Sequence, residues 1–266
     1  FSGISIVPTG TNHNPSYSTC DTVTLIGKEN SLALPTPLLP YIPEGVTDDL
    51  FHPCLVRMAP RECDIALLDC ENFPDAPTLV ENCAGFAIDL DSLPRLDSGA
   101  LDGLLVALRC MAKSDAKVIL VRSVNQTLSL HTEAKYHGCD ASISVLDDGS
   151  GISAAASLPL IGKSASSLDE ESIASIWLPW SANSEDLIVA CSANLSFVIC
   201  QPPDNNLSGW LSQISADLSA HLNRIGINSI DSLTRGNLRA CDQDTAAVSG
   251  LRLAGYDRPM PHWFAR

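Results

Sequence analysis

The chain has 266 residues, 45 % of them hydrophobic, which is enough for a full core and too much for a disordered polymer. It carries 31 acidic against 16 basic side chains, a formal net charge of −15, with no local basic cluster. That field repels phosphate backbones, so nucleic acid is excluded as a partner, and no apolar run reaches the roughly 20 residues of a membrane span.

Residues 1–48 read as a β-rich N-terminal layer. Short β runs stand at 5–7 and 22–26, and residues 1–7 show neither a basic segment nor a cleavage site. Pro35, Pro37 and Pro40 permit an extended edge segment over 32–41 but no helix. From 49 to 204 the pattern changes to alternating strands and helices, a barrel-like parallel core. Strands are expected at 63–69, 84–90, 116–121, 141–146, 187–191 and 196–200. Asp97 or Ser98 can cap a helix over 100–112, with Leu101, Leu104, Leu105 and Leu108 at helical spacing. A second helix spans 128–137 and stops at Gly138, and residues 150–185 read as a less regular loop-and-helix segment.

Residues 205–266 form C-terminal helices and a tail. An amphipathic helix covers 207–224 and ends near Gly226, followed by short helices at 229–234 and 237–248. The sum is an α/β fold, a shortened or irregular (β/α) TIM-type barrel with about six core strands. An open parallel sheet is the alternative.

Three stretches resemble the FMN-binding domain of glutamate synthase and its stand-alone relatives. Thr22-Val-Thr-Leu-Ile-Gly27 followed by Leu32-Ala-Leu-Pro-Thr-Pro-Leu-Leu39 resembles that family's lead-in to the first barrel strand. Ala116-Lys-Val-Ile-Leu-Val-Arg122, the helix end His137-Gly-Cys-Asp-Ala141, and Asp147-Asp-Gly-Ser-Gly151 resemble its strand, helix and glycine-rich loop. Leu222 to Leu233, then Asn237-Leu-Arg-Ala-Cys-Asp242 and Ala247-Val-Ser-Gly-Leu-Arg252, are similar to its closing helices.

The departures are equally definite. Ser150 replaces the second glycine of the family loop, and Val118-Ile-Leu-Val121 stands where a flavin-facing lysine is carried, with Lys117 at the strand start. Residues 192–203 contain no glycine, so the late phosphate cradle has no counterpart, and the three-cysteine iron–sulfur segment is missing. Backbone N–H groups in such loops are what hold phosphate. The resemblance therefore implies a glutamate synthase-like subunit with a degenerate flavin site. It would be a non-catalytic structural or regulatory component of a larger complex. The alternative is an FMN-dependent oxidoreductase forming glutamate from 2-oxoglutarate and ammonia.

If a cofactor contact survives, Asp148, Gly149, Ser150 and Gly151 carry it, against the plainer reading of an ordinary turn. No cofactor is expected on the isolated chain, FMN being the one candidate. No catalytic residue is assigned. His131 and His137 lie six apart on one helix and share no face, and no HExxH, G-x-S-x-G or nucleotide fingerprint occurs, so no metal site is expected.

The ten cysteines show no CxxC spacing and read as free, mostly buried thiols, which sets the expected location as cytoplasmic. Sequons at Asn125, Asn194 and Asn206 point the other way, but such triplets arise by chance in a Ser-rich chain. Trp177 with Trp180, and Trp263 with Phe264, read as aromatic patches outside the core, which predicts protein partners in a homo- or hetero-oligomer.

Overall fold

Eight short parallel strands, taken in chain order around a ring, are the architecture found in a computed structural model. It describes residues 1–7, 23–26, 31–46, 50–147, 149–168, 173–204 and 206–256, with the backbone alone at 23–26, 31–33 and 165–168. Strand β1 (Ile4–Ile6) is followed by an antiparallel hairpin of β2 (Val23–Ile26) and β3 (Ser31–Leu34). The barrel strands then follow as β4 (Leu38–Pro40), β5 (Leu55–Val56), β6 (Ile65–Leu68), β7 (Gly85–Asp89), β8 (Lys117–Ser123), β9 (Ala141–Val145), β10 (Ile173–Trp177) and β11 (Phe197–Cys200). Strand β4 pairs with β11, and one parallel bridge, Tyr41 to Leu55, links it to β5. The ring is nearly closed.

Among the described residues, seven α-helices cover its outside: α1 (Ala76–Val80), α2 (Ser98–Met111), α3 (Thr127–Tyr136), α4 (Ala154–Leu168), α5 (Ser184–Ser192), α6 (Leu207–Ile225) and α7 (Gln243–Ser249). A last strand, β12 (Leu238–Ala240), pairs antiparallel with β1 and ties the two ends of the described chain together.

Strand alternation explains the two layers of core. Leu39, Leu55, Ile65, Leu67, Ala87, Ile119, Val121, Ala141, Ile143, Phe197 and Ile199 point inward and pack with Leu34 from the hairpin. Their alternating neighbours point outward to the helices. Helix α6 buries one stripe, Leu207, Leu211, Ile214, Leu218, Leu222 and Ile225, each worth roughly 1.5–3 kcal/mol of apolar burial. Asn206 caps its start, and Gly226, at φ 75°, ends it in the left-handed conformation.

The barrel is therefore fuller than the six strands expected from sequence. Strands 63–69, 84–90, 116–121, 141–146 and 196–200 match β6, β7, β8, β9 and β11. The expected strand at 187–191 is instead helix α5, in which seven of nine residues are buried. Burial on nearly all sides erases the helical period, so a continuous apolar run looks like a strand. The 150–185 segment is more regular than expected, holding α4 and β10, and β4 and β5 were hidden by their shortness and by prolines. The helix expected over 237–248 divides into β12 and α7.

Candidate functional site

In parallel barrels, chemistry gathers at the C-terminal ends of the strands, where the βα loops meet. Inward parity along each strand decides which side chains reach that mouth. Register pairs Leu68 with Ile88 and Asp89 with Val121, so Asp69, one residue beyond β6, stands beside Asp89 at the end of β7. Arg57, just past β5, and Tyr41, just past β4, come from the strands before them, and Trp177 ends β10 on the other side. These groups, with Leu67, Cys70, Glu71, Ser92, Val121 and Val145, line a cavity of about 330 Å³.

The two aspartates use the same local device. Asp69 Oδ1 accepts the N–H groups of Glu71 (2.9 Å) and Asn72 (3.2 Å), and Asp89 Oδ1 accepts those of Asp91 (3.1 Å) and Ser92 (3.4 Å). Each carboxylate thus closes the turn that follows its strand. They differ in their second oxygen. Asp69 Oδ2 lies 2.6 Å from Arg57 Nε, while Asp89 Oδ2 has no hydrogen-bond partner among the described residues. Burial alone would raise the Asp69 carboxyl, but Arg57 and the two turn amides outweigh it and hold it below the usual value. Burial pushes the Asp89 carboxyl up, with Asp91 and Asp69 adding to it.

Arg57 forms ion pairs with two acids, the second being Glu71 Oε2 at 2.6 Å from Nη2. Tyr41 and Trp177 stack edge to face with ring centroids 4.5 Å apart, and burial raises the Tyr41 hydroxyl. Trp177 therefore lines the barrel mouth rather than an exposed patch. Trp180 packs against the outer core and donates from its indole to Asp186 at 3.3 Å. Trp263 and Phe264 lie outside the described residues.

The loop singled out from sequence follows β9 on the mouth side. Gly149, Ser150 and Gly151 are described and Asp148 is not. Ser150 turns inward on its own loop, its hydroxyl donating to Asp147 O (2.9 Å) and accepting from Ile152 N–H (3.2 Å). The three residues do not line the 330 Å³ cavity. Of the residues that do, sequence reasoning singled out Trp177 alone, as part of an aromatic patch, and passed over the carboxylates, although an aspartate ending each of two successive strands was the available signal.

The histidines and thiols stand apart from the mouth. His131 is buried on α3 with neither ring nitrogen partnered among the described residues, and burial pushes its pKa down to about 4. His137 Nδ1 lies 3.4 Å from Asp102. The nine described cysteines are free, with Cys54, Cys83 and Cys200 buried and Cys70, Cys110 and Cys241 exposed; Cys20 lies outside the described residues. No group of three or more metal-ligating side chains occurs among the described residues. No described helix is long and apolar enough to cross a membrane.

A barrel flavin needs donors for a phosphate dianion, and the chain's donors do not fit that group. The loops after β10 (178–183) and β11 (201–206) contain no glycine, lysine or arginine. Three of their amides already have partners: Ala182 N–H donates to Cys200 Sγ, Asn183 N–H to Asp186 Oδ2, and Asn206 N–H to Asp204 Oδ1. The first turns of α5 and α6 are closed by Asn183 and Asn206 side chains. The mouth itself presents Asp69, Glu71 and Asp89. These carboxylates stand at the ends of β6 and β7, on the side of the ring away from those two loops.

The ring of eight parallel strands places this chain in the TIM-barrel class. Among solved structures it is similar to a flavocytochrome b2 mutant (12 % identity, 97 % of this chain and 82 % of that chain, TM-score 0.67). It is also similar to a mandelate oxidase mutant (12 % identity, 90 % and 86 %, TM-score 0.65) and to a protein described as lactate oxidase from Pediococcus acidilactici (10 % identity, 91 % and 84 %, TM-score 0.60). At such identities the likeness is one of fold. No protein-family description and no curated protein matches the chain.

Proposed function

We propose that this protein is a flavin-free relative of the FMN-dependent barrel oxidoreductases, a glutamate synthase-like subunit that serves as a non-catalytic component of a larger complex. The observation that supports it most is the chemistry of the mouth. Three amides of the loops after β10 and β11 are engaged internally, and the open cavity of the mouth is lined by three carboxylates and one arginine. The barrel keeps a ligand-sized cavity at the place where such folds bind small molecules, at the low end of the ~300–1,000 Å³ range. A regulatory role through that cavity suits it better than electron transfer.

The test is a titration of the full chain with FMN, followed by flavin fluorescence and by absorbance after gel filtration. The expected result is no saturable quenching in the micromolar range and no retained flavin. Stoichiometric retention would overturn the reading and restore the oxidoreductase. Assembly is tested by solution mass before and after deleting residues 259–266, which lie outside the described residues. A full-length monomer unchanged by the deletion would remove the larger-complex part of the reading.

A further inference from the structure

The mouth cavity has a definite chemical character that the flavin-free reading leaves open. One guanidinium faces three carboxylates, and it is already shared between Asp69 and Glu71 at 2.6 Å each. Asp89 is left as a half-buried acid with one oxygen held by turn amides and the other without a hydrogen-bond partner among the described residues. Asp91 adds a further negative charge nearby, fixed by Ser123 N–H at 2.6 Å from its Oδ2. Across the mouth from this acid, Tyr41 and Trp177 form an aromatic wall, and Val121 beside Asp89, with Val145 on the next strand, forms an apolar one.

An anion brought here meets uncompensated negative charge, and a neutral molecule can donate to the Asp89 oxygen but leaves its charge without compensation. A cation satisfies both conditions. Its charge offsets the Asp89 carboxylate, its N–H groups reach the open oxygen, and aromatic faces attract it further. The apolar wall calls for a hydrocarbon body attached to that charge.

We propose that the barrel mouth binds a small organic monocation with an apolar body, an alkyl- or arylalkylammonium, with its ammonium on Asp89 Oδ2 and its body against Tyr41 and Trp177. This deepens the flavin-free reading of the same site and rests on it. It inverts the charge preference of a phosphate-bearing cofactor.

Calorimetry on the full chain with three probes of one shape tests it: 2-phenylethylammonium, 2-phenylethanol and phenylacetate. The ammonium alone should bind saturably, and it should shift the Trp177 indole N–H resonance, assigned by its loss in Trp177→Phe. Asp89→Asn keeps the Oδ1 acceptor that closes the turn, so the fold is retained. It should weaken ammonium binding by about tenfold or more. Trp177→Leu should weaken it by roughly three- to tenfold. Binding of phenylacetate or 2-phenylethanol as tight as the ammonium, full affinity in Asp89→Asn, or no binding of any probe would each overturn the proposal. The FMN titration separates the two failures. Failure of the ammonium with FMN still unbound defeats this inference alone, whereas saturable FMN binding defeats the flavin-free reading beneath it.

Discussion

The two ends of the barrel handle buried charge in opposite ways. At the floor, the buried charges Asp64 and Lys117 are each matched by another part of the chain. Asp64, fully buried just before β6, accepts from Cys54 N–H (3.0 Å) and Arg61 N–H (2.9 Å), and pairs with Arg61 Nη2 at 2.7 Å. The same guanidinium donates to Leu50 O and His52 O. Lys117, at the start of β8, lies 3.7 Å from Asp140, whose other oxygen takes Val118 N–H. At the mouth the acids outnumber the bases, and one carboxylate oxygen stays open to a cavity. Matched buried charge holds strand ends in place, and unmatched charge beside a cavity favours a ligand.

That contrast can be broken first at the floor. Asp64→Ala removes the acceptor of two amides and of part of the Arg61 guanidinium, which is 22 % exposed and keeps Leu50 O and His52 O, and should cost about 2–4 kcal/mol of stability in denaturant unfolding. A loss below about 1 kcal/mol would show that the floor is wetter and looser than its geometry. Gly85→Ala comes next. A Cβ there would sit 2.6 Å from Lys117 O, a backbone atom that cannot swing away, so β7 and β8 must part. The expected cost is about 1–3 kcal/mol, read as a lowered Tm.

At the mouth the sign reverses. The folded Asp89 carboxyl titrates above its unfolded value, so the folded state holds its proton more tightly. Its contribution to stability is then largest at low pH and falls as pH rises from the unfolded value of 3.8 through the folded one. Asp89→Asn should therefore leave stability at neutral pH unchanged or slightly higher, by less than about 1 kcal/mol. Asp69, held below its usual value, behaves conversely, and its contribution is lost as pH falls below the ordinary carboxylate range. Unfolding curves of the wild type and Asp89→Asn across pH 3 to 8 check both signs (the interval brackets the ordinary carboxylate range at about 4).

The smallest effect is chemical rather than energetic. Cys70 lines the mouth and is exposed, whereas Cys54 lies at the floor with burial pushing its thiol up to about 12. An alkylating reagent at pH near 7 should label Cys70, Cys110 and Cys241 in the native state and leave Cys54 and Cys200 unmodified until unfolding. Early labelling of Cys54, read by peptide mass, would mean the floor opens as readily as the mouth.

What the sequence alone determined was the repeating α/β class, and the elements whose patterning is local. Helix α2 announced itself through Asp97 and the spacing of Leu101, Leu105 and Leu108, and the Asp97 side chain does accept from Ala100 N–H at 2.8 Å. Strands β6 to β9 were legible because both their faces are buried, which gives short continuous apolar runs. Helix α5 misled for the same reason, although the Asn183–Asp186 capping box preceding it was a signal in the sequence. Strands β4 and β5, three and two residues long, carry too few side chains to show any period, and only closure of the ring reveals them. The mouth was decided by tertiary structure altogether. Tyr41, Arg57, Asp69, Asp89 and Trp177 come from five strands spread over 137 positions of the chain, between the first and last of these numbers. No local pattern encodes their meeting, because strand register and inward parity, summed around a closed sheet, are what bring them to one cavity.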